Sequence, residues 1–364
     1  MKRGKYTVVI LGSHSALDVC RGAKAYGFKT LVVTQKGRGT PYQKYYKTNS
    51  DVGCVDECLE LTKFSDLLKP ENINILNRKK AIFIPHRSFE VYLNFDYSAI
   101  EQKFNVPFFG NKYLLKIEER GTRPNQYDLM DEAGIRYPKQ FKNPRDIDRL
   151  CLVKVSEKER GFERAFFLVN SYADFKKQTE VKLKKGVFTK EQLSKAVIEE
   201  FVMGVQVNLN FFYSKVHNRL ELIGTDTRRQ TNLEGMSRIP ARFQEKVFES
   251  QSISYEEAGH VAVTILESLL EQAYALGEKF VKSTQKLYPP GIIGPFALQT
   301  VIIPGPPKKE FVTFDVSPRM PGSPGIGMTP YSGYLFGESM SMGKRVAKEI
   351  YDAVKLKKLK NITT

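Results

Sequence analysis

Residues 7–34 read as strand, turn, helix, glycine and strand: TVVIL (7–11), Gly12-Ser13-His14-Ser15, a helix from Ala16 to Tyr26, Gly27, then TLVVT (30–34). Two apolar β-type runs separated by one helix pair in parallel, because the helix is the crossover that a parallel pair needs. A third apolar run, Ala81 to Pro85, precedes His86-Arg87-Ser88, and VPFFG (106–110) reads as another short strand. The expectation is a Rossmann-like α/β domain of about 115 residues. In such sheets ligands collect outside the carboxyl ends of the strands, so the loops at His14 and at His86–Ser88 should open on one edge. A strand-to-helix turn offers free N–H groups and a helix dipole to an anion. His14 would donate to a phosphate or to a ring substituent; a purely structural histidine is the alternative.

The chain has 364 residues, which exceeds one ordinary domain and suits two or three that share a cleft. No run of 18 or more apolar residues occurs, so no membrane span is expected. The start, MKRGKYTVVIL, has a basic lead, but its apolar run breaks at Gly12 and reads as a strand rather than a signal peptide. Cys54 and Cys58 are separated by three intervening residues, with no second Cys/His pair at zinc spacing. The four cysteines therefore read as plain thiols, and a cytoplasmic location follows. The formal charge of +17 favours anionic partners. With the basic residues dispersed, Trp absent and no helix-turn-helix, zinc-finger or RNP pattern, phosphorylated small molecules are favoured over nucleic acid.

Beyond the first domain, 112–134 reads as helix interrupted near Pro124. Runs 151–155 and 165–169 read as a hairpin, and a lysine-rich helical stretch follows. Strands are expected at 197–203, 205–213 and 220–224, with a polar loop at 226–238. Four-residue steps through Val261, Ile265, Leu269 and Ala273 predict helix over 255–283. Two more strands, around 294–299 and 311–316, precede a Gly/Pro-rich stretch, a helix from Ser341 and a frayed tail.

Three segments could carry chemistry. Alternation along a strand puts Asp315, Ser317 and Arg319 on one face: a carboxylate, a hydroxyl and a guanidinium. A carboxylate with the amide of Gln299 from the neighbouring strand suits Mg²⁺, and Arg319 suits phosphate or acyl phosphate. An exposed Asp–Arg pair is the alternative. Lys154, flanked by Val153 and Val155, either faces solvent or holds phosphate oxygens. Glu199-Glu200-Phe201-Val202 lies between two apolar runs, where backbone amides read a base and a carboxylate binds ribose; a charged hairpin edge fits equally well. Neither a Walker P-loop, an HExxH motif nor a CxxC motif is present.

In order, these pieces resemble an ATP-grasp ligase, and the chain is similar nearly end to end to the archaeal PurP family. The landmarks are Leu11-Gly12-Ser13-His14, Lys36-Gly37-Arg38, Pro85-His86, Phe109-Gly110-Asn111, Arg238-Ile239-Pro240-Ala241, Ile293-Gly294-Pro295-Phe296 and Ser341-Met342-Gly343. The resemblance implies an α/β and α+β multidomain protein with an N-terminal preATP-grasp domain (1–118), a lid subdomain (119–204) and a metal-bearing C-terminal subdomain (205–364). It implies ATP- and formate-dependent formylation of aminoimidazole carboxamide ribonucleotide, through formyl phosphate, by a homotrimer or homohexamer. By the same resemblance His14, Ser88 and Asn232 contact the ribonucleotide. Lys154, Glu199, Glu200, Phe201 and Val202 bind ATP, Gln299 and Asp315 hold Mg²⁺ or Mn²⁺, and Arg319 with Lys154 shares the transferred charge.

The chain departs from the family at the stretch after Lys154. Members have a glycine-rich loop there; residues 156–164 hold one glycine and three acids. Asp315 replaces a usual Glu, Gly322-Ser323-Pro324-Gly325 replaces Gly-Gly-Thr-Asn, and Arg87 replaces a glycine. These differences admit a paralogous ligase for another phosphorylated substrate, or a nucleotide-binding relative without turnover.

Overall fold

The computed structural model describes residues 5–119, 121–155, 166–229, 233–236, 238–250, 258–305 and 307–364. Three sheets organise the chain. In the first, β1 (Thr7–Leu11), β2 (Lys29–Gln35), β3 (Glu57–Leu61) and β4 (Ala81–Ile84) are parallel in the order β3-β2-β1-β4. The chain winds outward from β1 to β3 and then returns to the other side of β1. The switch point therefore falls between β1 and β4, where ligands of such sheets gather. Both strands are buried along their whole length because helices cover both faces.

The expected strand at 106–110 reduces to isolated bridges, Phe83 with Phe108 and Phe109 with Thr363. The tail does not fray. Phe108 and Thr364 exchange backbone hydrogen bonds of 3.0 and 2.9 Å, and Ile362 is fully buried, so the apolar residue anchors a polar terminus.

The second sheet holds β5 (Gln140–Phe141), β6 (Cys151–Lys154), β7 (Phe166–Val169) and β8 (Val197–Glu200), antiparallel in the order β5-β8-β6-β7. Cys151, Val153, Phe167, Val169 and Ile198 form one face and pack on Phe175 of the helix Tyr172–Lys184. Lys154 and Glu199 belong to the other face, as strand alternation requires.

The third sheet is antiparallel, β11-β10-β9-β12-β13, from β9 (Val205–Ser214), β10 (Arg219–Arg229), β11 (Gly259–Ala262), β12 (Gly294–Ile303) and β13 (Glu310–Ser317). Val207, Leu209, Phe211 and Tyr213 of β9 share a core with Ala273 and Phe280 of the helix Leu270–Leu287. Asn208 and Asn210 alternate with them and face the other way.

Two expectations change here. Among the described residues of the predicted helix over 255–283, the α-helix begins only at Leu270, because Gly259–Ala262 pairs with β10 as a strand instead. The polar stretch from Asp226 is not a loop, since β10 continues through Arg229. The interruption expected near Pro124 is present: the stretch 112–134 forms two helical pieces, Lys112–Glu118 and Gln126–Ala133. The second starts where the Asn125 side chain accepts hydrogen bonds from the N–H groups of Tyr127 and Asp128.

The first and third sheets share a core that includes Ile10, Val19, Phe109, Phe212, Ile293, Met320 and Val346. Helices Ala16–Ala25 and Met342–Lys355 touch backbone to backbone within it: a Cβ on Gly22 would lie 2.4 Å from the carbonyl carbon of Gly343.

Candidate active site

At the switch point the loops after β1 and β4 meet. Ser13 Oγ lies 2.9 Å from Ser88 Oγ, which lies 3.1 Å from His14 Nδ1. His14 adopts a positive φ of 44°, a conformation uncommon for residues other than glycine. Its ring stacks on His86 with centroids 5.6 Å apart. His86 is buried, and its Nε2 lies 2.8 Å from the Leu11 carbonyl. A carbonyl only accepts, so that nitrogen carries the proton and Nδ1 is the acceptor. Burial pushes the His86 pKa down to about 3, so the ring is neutral at ordinary pH. Gly322 lies close against His14: a Cβ there would be 3.0 Å from the ring, which would have to shift slightly.

On the third sheet, Gln299 of β12 stands opposite Asp315 of β13. Its amide donates to Asp315 Oδ2 at 3.0 Å and reaches Ser317 Oγ at 3.5 Å, so the three side chains share one face. Arg319, just beyond the strand, turns toward the first domain. Its Nε donates to Glu90 at 2.7 Å and its Nη2 to Glu118 at 2.8 Å. Arg87 shares the same carboxylates, at 3.1 Å from Glu90 and 3.0 Å from Glu118. Burial drives the Glu118 pKa up to about 7, although Arg319 and Arg87 pull it down. The two guanidiniums and two carboxylates tie the sheet of the metal-face candidates to the short helix Arg87–Tyr92 that carries Ser88.

Lys154 forms a buried ion pair with Glu199, and Tyr127 donates to the other Glu199 oxygen at 3.1 Å. The pair joins diagonal neighbours on β6 and β8, since Lys154 stands opposite Val197 and Leu152 opposite Glu199. Gln126, beside Tyr127, accepts from the backbone N–H of Val316 at 2.8 Å. One helix start therefore links the Lys154–Glu199 pair to the strand of Asp315. Glu200 faces the opposite way, and Arg149 lies 3.5 Å from it. The N–H groups of Glu200 and Phe201 donate to the carbonyls of Lys139 and Leu150. Gly204 ends this connection, where a Cβ would lie 2.6 Å from the Ile302 carbonyl oxygen. Asn232 and the stretch 156–164 lie outside the described residues.

Two groups of residues escaped the sequence reading. Glu90 and Glu118 gave no signal, because their partner lies more than 200 residues away for each. Asp226, Asn208, Asn210 and His260 form a hydrogen-bonded cluster on the face of Gln299. The alternation Val207-Asn208-Leu209-Asn210 was the available clue to it. Among the described residues no three His, Cys, Asp or Glu side chains gather as a metal site, and no helix is long and apolar enough to cross a membrane.

A small doubly wound domain, a four-stranded antiparallel sheet bearing a buried lysine and a larger sheet bearing Gln299 and Asp315 define an ATP-grasp ligase. A crystal structure described as an N5-carboxyaminoimidazole ribonucleotide synthetase, purK, in complex with ADP has this fold. It superimposes with a TM-score of 0.60 at 13% identity, over 96% of this chain and 77% of that one. Models of two domains of unknown function match residues 8–141 (DUF1246) and 174–364 (DUF1297). A protein of Methanothermobacter thermautotrophicus called 5-formaminoimidazole-4-carboxamide-1-(beta)-D-ribofuranosyl 5'-monophosphate synthetase is 38% identical over 100% of this chain and 95% of its own. The crystal structure of an IMP biosynthesis protein, PurP, from Thermococcus kodakaraensis matches with a TM-score of 0.70 and 29% identity, covering 98% of this chain and all of that one. The chain belongs to the PurP family.

Proposed function

We propose that this chain formylates the 5-amino group of aminoimidazole carboxamide ribonucleotide, using ATP and formate, in purine biosynthesis. The observation that supports this most is the 38% identity to a synthetase of the formamido product along the whole chain. A formate oxygen attacks the γ-phosphorus of ATP and ADP leaves. The amine then attacks the formyl carbon and expels phosphate. Phosphoryl transfer of this kind depends on positioning and charge neutralisation.

In this reading residues 1–118 form the preATP-grasp domain, 119–204 the lid and 205–364 the C-terminal subdomain. Lys154 sets its ammonium against the triphosphate, and Glu199 orients it. The N–H groups of Glu200 and Phe201 are engaged by protein carbonyls, so a backbone N–H that reads the adenine would come from Val202 onward, with Glu200 and Phe201 beside the nucleoside. His14 and Ser88, with Asn232, hold the ribonucleotide at the switch point. Arg319, oriented by Glu90 and Glu118, faces the transferred phosphoryl group. A carboxylate beside an amide is the sparse oxygen set that suits Mg²⁺ or Mn²⁺ bound largely by phosphates, so Asp315 and the Gln299 carbonyl oxygen would hold the ion. When bound it neutralises β- and γ-phosphate charge. Size-exclusion chromatography with light scattering tests the trimer or hexamer.

The decisive experiment follows ADP, phosphate and the formamido product with purified protein, ATP, Mg²⁺, formate and the ribonucleotide. Wild type should make the three in equal amounts. Asp315→Asn should lose turnover while its circular dichroism stays unchanged. An Asp315→Asn variant with full activity would move the metal elsewhere, and a wild type that makes no formamido product would refute the function.

A further inference from the structure

A ribonucleotide ends in a phosphomonoester, which carries about 1.5 to 2 negative charges near neutral pH. The residues given to that ligand above, His14, Ser88 and Asn232, bring no permanent positive charge to meet it. His86 is neutral at ordinary pH, and Arg319 and Arg87 are already matched by the carboxylates of Glu90 and Glu118. The cations that answer the phosphate must therefore stand elsewhere on the carboxyl edge of the first sheet.

β2 lies directly beside β1, about 4.8 Å away, and ends at Gln35. Lys36-Gly37-Arg38 follows, and the turn closes with the Arg38 N–H donating to the Gln35 carbonyl at 2.8 Å. The Arg38 guanidinium lies over two rings that stack on each other, 5.8 Å from the centre of Phe64 and 5.3 Å from that of Tyr92. Phe64 opens the turn after β3, and Tyr92 ends the short helix Arg87–Tyr92 after β4. That helix therefore crosses the carboxyl edge. Ser88 meets Ser13 of the β1 loop, and Tyr92, one turn on, meets Phe64 at the end of β3. Stacking fixes the plane of the Arg38 guanidinium and leaves the N–H groups at its rim for a ligand.

Tyr42 spans the distance from Arg38 back to the ribonucleotide loop. Its ring packs on Gly12, where a Cβ would lie 2.7 Å from Tyr42 Cε2, and Gly12 immediately precedes Ser13 and His14. Burial pushes the Tyr42 pKa up to about 12, and the Arg38 charge is close enough to pull against that rise. The hydroxyl therefore keeps its proton and can donate it in a hydrogen bond. Among the described residues the exposed side chains of Lys36 and Arg38 have no carboxylate partner, and the Tyr42 hydroxyl has no hydrogen bond.

We propose that Arg38 and Lys36, with the Tyr42 hydroxyl, bind the 5′-phosphate of the ribonucleotide. The identity of the ligand rests on the formylation reading; the chemistry that the three side chains recognise is a phosphomonoester on a pentose. Arg38 offers a planar fork of N–H donors, Lys36 a second charge on a flexible stem, and Tyr42 a neutral donor. The nucleotide then lies along the carboxyl edge, with its phosphate over the end of β2 and the rest of the molecule toward His14 and Ser88. The arrangement selects nucleotide over nucleoside, because only the nucleotide brings the charge that the two cations match.

The test is calorimetric titration of the protein with the ribonucleotide, its nucleoside, ribose 5-phosphate and ATP·Mg²⁺. Arg38→Met should weaken binding of the ribonucleotide and of ribose 5-phosphate by about 10- to 150-fold, the range of a charge-assisted bond, and leave the nucleoside and ATP·Mg²⁺ within about twofold of wild type. Arg38→Lys, which keeps the charge and loses the fork, should fall between wild type and Arg38→Met. Lys36→Met, at an exposed side chain, should weaken the same two ligands by about tenfold and serves if Arg38→Met does not fold. Wild-type affinity for the ribonucleotide in the methionine variants, or a loss shared equally by the nucleoside or by ATP·Mg²⁺, would overturn the proposal alone. A wild type that binds the ribonucleotide through Arg38 but makes no formamido product would overturn the formylation reading and uphold the phosphate site. A wild type that binds neither the ribonucleotide nor ribose 5-phosphate would overturn both.

Discussion

Replacing Lys154 by Met separates the stability of the ion pair from its part in binding. Both side chains are buried, at 6% exposure for Lys154 and 3% for Glu199. Lys154→Met leaves the Glu199 carboxylate with one neutral donor, Tyr127 at 3.1 Å. Breaking one side of such a pair costs about 3–5 kcal/mol. Adding Glu199→Gln removes the stranded charge while Tyr127 keeps an oxygen to bond, so the double variant should recover to within about 1 kcal/mol of wild type. Binding should not recover with it. A charge-assisted bond to phosphate is worth about 1.5–3 kcal/mol, or roughly 10- to 150-fold in Kd. Urea midpoints measure the first quantity and calorimetric titration with ATP·Mg²⁺ the second. A double variant that binds ATP·Mg²⁺ as tightly as wild type would make Lys154 a structural partner of Glu199 and nothing more.

Gly22→Ala should destabilise the protein by about 1–2 kcal/mol in urea, because overpacking outweighs the helix propensity gained. Its new Cβ would meet the Gly343 backbone at 2.4 Å, so the two helices must part; a variant more stable than wild type contradicts the close crossing. His86→Gln should alter acid sensitivity. The His86 pKa is about 3 when folded, below its ordinary 6.5, so the unfolded chain binds a proton that the folded one refuses. Stability is therefore lost as pH falls from about 6.5 toward 3, by about 2 kcal/mol at pH 5, with no contribution above pH 7. Gln keeps a donor for the Leu11 carbonyl without titrating, so the stability difference between variant and wild type should change with pH across that window. A difference constant with pH would place the titration elsewhere.

Local pattern was enough to read the elements of the parallel sheet and most of the strands that follow. Burial on both faces writes Thr7–Leu11 and Ala81–Ile84 as unbroken apolar runs, and alternation marks β9. Where two elements compete for one stretch, local pattern fails. The steps through Val261 and Ile265 fit a helix, but the edge of β10 captured Val261 in a strand and left Ile265 in the connection that follows. Polarity at Asp226 and Arg228 signalled a loop, although buried amides and a histidine satisfy that carboxylate inside the sheet.

The sequence by itself determined the order of the modules and the kinds of side chain each strand end presents, because spacing along a strand or helix is a local property. Only the tertiary structure decided that Arg319 meets Glu90 and Glu118, that Lys154 is buried against Glu199, and that Asp226 stands in one row with Asp315. Such pairings join residues far apart in the chain, and what selects them is the burial of charge, which needs a partner wherever folding brings one.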